Sequence, residues 1–261
     1  MSNTSPMVKP IDHSDREGKE IVARVVNLKK SFGDAQVLKG ISLTLHKREN
    51  LAILGRSGSG KSVLIKCMVG LMVADEGEIE VLGYEVGSLS PEELNEMRQQ
   101  IGFSFQSSAL YDSMTVQENL EFPLKRNLKL FDKKELTDLV NTALHDVGLE
   151  ETSQKKPAEL SGGMKKRIGI ARTLILKPKI MLYDEPTAGL DPITSAEINE
   201  LILTVRKKYN TSSIIITHDI SCAQQTADKV IALIDGQSKA EATFDELKNT
   251  KDPALAPFFK Y

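Results

Sequence analysis

Eight consecutive residues, Gly55-Arg56-Ser57-Gly58-Ser59-Gly60-Lys61-Ser62, have the types and spacing of a phosphate cradle. They fit G-x-x-x-x-G-K-[ST] and are followed by Val63. Glycines let the backbone curl so that its N–H groups converge on phosphate oxygens, and a helix starting at the loop's end adds positive potential. Lys61 then reaches the outer phosphates of a nucleotide and the Ser62 hydroxyl ligates Mg²⁺. A second feature complements this one. The apolar run Ile180-Met181-Leu182-Tyr183 ends in two acids, Asp184 and Glu185. Beside the phosphate loop, Asp184 would enter the Mg²⁺ shell and Glu185 would orient or deprotonate a water at the γ-phosphate. Alone, such an acidic pair is an ordinary solvated loop; the cradle upstream gives it a task.

These residues need a scaffold. Leu51–Leu54 is wholly apolar, as a strand in the middle of a parallel sheet would be, and Lys61 to about Val69 reads as the helix after the loop. Further apolar strands are expected at Ile180–Tyr183, Ser213–Thr217 and Val230–Ile234, with helices between them, which indicates a parallel α/β core. Ile21–Leu28 and the alternation of Ile41, Leu43 and Leu45 read as antiparallel strands with one buried face, and Ile79–Leu82 as another strand. Ser90-Pro91-Glu92-Glu93 has the form of a helix start with a capping box. From about Thr115 to Gly148 the pattern turns helical, with Leu136, Leu139, Val140, Ala143, Leu144 and Val147 on one stripe. Ser161 opens another helix, on which Lys165-Lys166-Arg167 reads as a solvated face.

The chain has 261 residues, 27% of them charged, and a net charge of −2, which gives no reason to expect nucleic acid. Cys67 and Cys222 sit in apolar surroundings, match no metal or disulfide spacing, and suit a reducing compartment. No signal segment opens the chain, and no apolar run reaches the length of about 18 residues that a membrane span requires. Any service to a membrane is therefore expected from the cytoplasmic face, through a partner. The division expected is an arm at 1–19, one domain at 20–250 with a helical subdomain near 107–170, and a short tail at 251–261.

Leu160-Ser161-Gly162-Gly163-Met164, at a helix start upstream of Asp184, resembles the signature motif of the ABC ATPase family. Other landmarks stand in that family's order. Gln106, after Ile101–Phe105, resembles the Q-loop glutamine that reaches Mg²⁺ and water; Ala188-Gly189-Leu190-Asp191 resembles the D-loop; His218 resembles the switch histidine at the γ-phosphate. Phe32 is similar to the aromatic that stacks on adenine, although a core position would suit it equally. Met164 stands where most of the family has Gln, and Glu49 where Gly is usual. The resemblance implies a P-loop NTPase core with an antiparallel β subdomain and a helical subdomain, using ATP and Mg²⁺. It also implies a head-to-tail homodimer, in which Ser161, Gly162 and Gly163 of one copy close on the phosphate loop of the other. Two-domain translation-factor types and coiled-coil chromosome-maintenance types do not match, which leaves transporter ATPases. The segments Phe105–Leu120, Leu160–Arg167 and Asp252-Pro253…Phe258-Phe259 resemble the ATPase subunit of Mla-type phospholipid transporters. Those work with membrane permeases and MCE-domain lipid-binding proteins. Importers of methionine and polar amino acids share much of the pattern. Leu110, Tyr111 and Met114 are apolar beside Gln106, and are expected either in the core or lining a cleft for a permease helix.

Overall fold

A computed structural model describes residues 18–129 and 131–259; most of the expected arm, 1–17, lies outside the described residues. Its strands fall into two sheets. β1 (Ile21–Phe32), β2 (Ala35–His46), β4 (Glu76–Val81) and β5 (Tyr84–Glu85) form an antiparallel sheet ordered β2-β1-β4-β5. Alternation of buried Val25, Ile41 and Leu43 with exposed or half-buried neighbours turns one face to the core. β4 begins three residues before the apolar signal, because the exposed Glu76 and Glu78 pair with Lys29 and Val26. It stops at Val81, since Leu82 takes a φ of 53°.

The second sheet contains β3 (Asn50–Leu54), β6 (Ile101–Ser104), β7 (Ile180–Asp184), β8 (Ser212–Thr217) and β9 (Lys229–Ile234), with β10 (Gln237–Ala242) on its edge. The order is β10-β9-β3-β8-β7-β6, parallel except for β10. Every residue of β3 and β8 is buried, which is why these strands read as continuous apolar or small-residue runs. The β10 edge escaped the sequence reading, because its residues alternate between exposed and half-buried without an apolar signal. The Asp235-Gly236 turn before it is a hairpin signal, with φ of 50° and 78°. A Cβ on Gly236 would stand 2.3 Å from the Val37 carbonyl, where the two sheets meet.

Helices cover the parallel sheet. α1 (Lys61–Met68) follows the phosphate loop, and α2 (Pro91–Gln99) opens with the expected capping box at Ser90 and Glu93. The helical stretch divides into α3 (Val116–Asn127) and α4 (Lys133–Asp146), each with its own side-chain cap, at Thr115 and Asp132. α5 (Gly162–Leu174) starts at Ser161, and α6 (Pro192–Tyr209) at Asp191. The stripe on α4 packs with Ile168, Leu174, Met181, Tyr183 and Ile202, so the helical residues share a core with β7 and α6. Both cysteines are buried and unpaired, and burial pushes the Cys222 thiol up to about 12. α7 (Ile220–Thr226), α8 (Phe244–Lys248) and the short α9 (Ala256–Phe259) follow. Among the described residues, no helix is long and apolar enough to cross a membrane.

Candidate functional site

Parallel strands deliver their C-terminal ends to one edge of the sheet, and a loop there inherits its place from the strand order. The phosphate loop follows β3, His218 follows β8, Asp184 and Glu185 lie at the end of β7, and Gln106 lies two residues beyond β6. Since the order is β3-β8-β7-β6, these groups line up side by side. Hydrogen bonding between strands continues into the loops, with Gly55 N–H donating to Thr217 O and Glu185 N–H to Ile216 O. The result is a cleft of about 590 Å³, lined by Gly55, Arg56, Ser57, Gly58, Gly60, Lys61, Ser62, Val63, Gln106, Asp184, Glu185 and His218.

The local geometry follows from residue type. Gly60 precedes α1 with a φ of 99°, and a Cβ there would stand 2.8 Å from Leu38 Cδ2. No side chain caps α1, so its first N–H groups are free for an anion. Lys61 Nζ donates to Gly55 O at 2.7 Å and Arg56 O at 3.0 Å, and stands 3.7 Å from Glu185 Oε1. Burial lowers its pKa; Glu185 and Asp184 oppose that. Glu185 Oε2 lies 2.9 Å from His218 Nδ1 and accepts from the His218 backbone N–H and the Thr217 hydroxyl. Burial raises the Asp184 carboxyl, as does the neighbouring Glu185, against the pull of Lys61 and Lys166. Ser62, Gln106 and Asp184 supply hydroxyl, amide and carboxylate oxygens around one cleft, which is the hard donor set Mg²⁺ takes alongside nucleotide phosphates.

Other expected residues stand elsewhere. Ser59 does not line this cleft; its hydroxyl is buried without a hydrogen-bond partner. Ser161 caps α5 by accepting from Met164 N–H, and neither it nor Gly162 or Gly163 lines the cleft. Asp191 caps α6, accepting from the backbone of Ile193 and Thr194 and from the Thr194 hydroxyl. Phe32 is exposed near the β1–β2 turn, with Lys30 Nζ 5.7 Å from its ring centroid, and it too is outside the lining. The apolar lining comes instead from Val37, Val63, Ile220 and Phe258. Phe258 lies 5.7 Å from the Arg56 guanidinium, a site role the sequence did not signal beyond its place in the closing segment. Glu49, in a glycine's usual place, accepts from the backbone and ring of His46 and so closes the β2–β3 turn.

The expected solvated face on α5 requires correction. Lys166 is buried, and its ammonium donates to Glu185 O at 3.0 Å. Arg167 is half-buried and pairs with Glu197. Consecutive helix residues point in different directions, so a run of three cations cannot all face water once α5 is packed on two sides. Arg172, farther along α5, donates to the carbonyls of Ser108 and Ala109, both in left-handed conformation just after Gln106.

Comparison with known proteins agrees with this geometry. The family model described as "ABC transporter" matches residues 38–188. The chain is 37% identical over 246 residues to the chloroplastic protein TRIGALACTOSYLDIACYLGLYCEROL 3 of Arabidopsis thaliana, covering 88% of this chain and 70% of that one. It is 41% identical over 222 residues to the methionine import ATP-binding protein MetN of Rhizobium johnstonii, covering 85% of this chain and 60% of that one. Among solved structures, the dimeric post-hydrolysis state of the ATP-binding cassette MJ0796, bound to ADP and Pi, superposes with a TM-score of 0.76 at 31% identity, covering 85% of this chain and 98% of that one. The strand order, the cleft and these likenesses lead to one conclusion: this chain belongs to the ABC transporter family, as an ATP- and Mg²⁺-using ATPase with the ABC cassette fold.

Proposed function

We propose that the chain powers lipid movement of the Mla type, through separate membrane permease subunits and an MCE-domain lipid-binding protein, from the inner face of the cell membrane. Support comes from the segments around Gln106, Ser161 and Phe258, and from the relative whose printed name contains a diacylglycerol glycolipid and which the chain matches over 70% of its length. The likeness to a methionine import protein keeps amino-acid import as the second reading. Purification of the chain with its membrane partners, followed by mass spectrometry, separates them. Phospholipid with an MCE-domain protein supports the first; an amino-acid permease without lipid overturns it.

In the hydrolytic step, Lys61 and the loop N–H groups hold the β- and γ-phosphates; Ser62, Gln106 and Asp184 would hold Mg²⁺, which would neutralise charge on the phosphate oxygens. Glu185 takes the proton of the attacking water while His218 contacts the γ-phosphate. The observation that carries the dimeric part of this reading is the position of Ser161–Gly163. Ser161 and Gly162 are exposed at a helix N-terminus, with Gly163 buried behind them, and all three lie outside their own chain's cleft, where a second copy is needed to use them. Phe32 stacks against adenine, and Asp191 lies at the dimer seam.

A further inference from the structure

We propose that Lys166 is a positioning residue: from α5 it locks the Glu185 peptide in the orientation that aims the carboxylate at the phosphate loop. The proposal rests on Glu185 being the group that activates water. Three observations carry it. First, Lys166 is 8% exposed and its ammonium donates to the Glu185 carbonyl at 3.0 Å. A cation this deep is costly to keep unless its charge and hydrogen bond have a use. Second, Glu185 is a non-glycine residue with a φ of 48°, a conformation that persists only where its surroundings enforce it. The enforcement is visible on both sides, with Glu185 N–H held by Ile216 O of β8 at 2.9 Å and its carbonyl held by Lys166 of α5. Third, the side chain carried by this peptide meets His218 at 2.9 Å and Lys61 at 3.7 Å, so a small rotation of the peptide would swing the carboxylate off both. Burial lowers the pKa of the ammonium, and the negative charges of Asp184 and Glu185 oppose that in part.

Hydrolysis by the full chain, measured in steady state and in single turnover, tests this. Lys166→Met keeps the apolar stem and removes the donor. It is expected to lower kcat about 10-fold while KM for ATP stays within about twofold, the mark of misplacement and not of lost binding. Lys166→Arg restores a buried donor and is expected to recover most of that loss. In a Glu185→Gln background, Lys166→Met is expected to add no further loss, because both changes act through one carboxylate. Unchanged kcat in Lys166→Met, a rise in KM alone, an equally slow Lys166→Arg, or a full extra loss in the double variant each overturns the proposal. Where Lys166→Met does not fold, Lys166→Gln carries the same test, with an intermediate kcat expected and an unchanged kcat overturning it. If Glu185→Gln itself turns over normally, the reading of Glu185 fails and this proposal falls with it. If Glu185→Gln is inactive and Lys166→Met is normal, only the positioning role is lost.

Discussion

Glu185 meets groups from three strand ends: Lys61 after β3, Thr217 and His218 at β8, and its own left-handed backbone at β7. Glu185→Gln keeps the shape and removes the base. ATP binding should survive while hydrolysis falls at least ~100-fold, and the variant should dimerise stably in Mg-ATP. Phosphate release and size-exclusion chromatography check the two halves. A different carboxylate governs stability. Asp146 on α4 is half-buried, with its side chain enclosed, and accepts from Lys208 and Tyr209 of α6. Burial alone would raise its pKa, yet those hydrogen bonds leave it below the ordinary aspartate value. The folded pKa is the lower one, so the stabilisation is fully present above the unfolded value of about 3.9 and disappears as pH falls through the folded value. Asp146→Asn should therefore cost ~2 kcal/mol in urea unfolding at pH 7, and the two curves should converge in acid.

At the scale of elements, α5 does two jobs along its length. Its N-terminus presents Ser161 and Gly162 to solvent, while Lys166 and Arg172 hold Glu185 and the segment after Gln106. A composite site predicts complementation. Lys61→Ala should lose nucleotide affinity, and Ser161→Arg should bind ATP without closing. Each is inactive alone, yet a mixed dimer contains one intact phosphate loop facing one intact signature. About one competent site per mixed dimer should return measurable hydrolysis. No regained activity, once mixed dimers are shown by differential tagging, counts against shared sites.

Across the whole molecule, the segment after Gln106 links the cleft to an outer surface. Val116 and Leu120 are core, Leu110 packs partly against that core, and Tyr111 is exposed with its ring 5.0 Å from Phe122. Buried Asn119 fixes the loop by bonding to the Tyr111 N–H and to the carbonyls of Tyr111, Met114 and Thr115. A permease helix seated on Tyr111 and Met114 would thus press on a braced loop that begins at Gln106. Tyr111→Glu with Met114→Glu should abolish co-purification with the permease and leave nucleotide affinity of the isolated chain within about twofold. Retained assembly would exclude this surface.

Residues that act through their own loop were legible without coordinates. Gly55–Ser62, the acids after β7, the caps at Ser90 and Ser161, and the buried strands each carry their signal in residue type and spacing, because backbone geometry and burial act locally. The lateral order of the site residues had to come from strand pairing, since periodicity marks a strand without naming its neighbours. Phe258 reaches the cleft from far along the chain, and Lys166 is buried under Glu185 by the packing of α5 on β7. A charged residue in a run of cations looks solvated in one dimension. Only the tertiary structure decides which member of the run is enclosed, because enclosure depends on what the helix packs against.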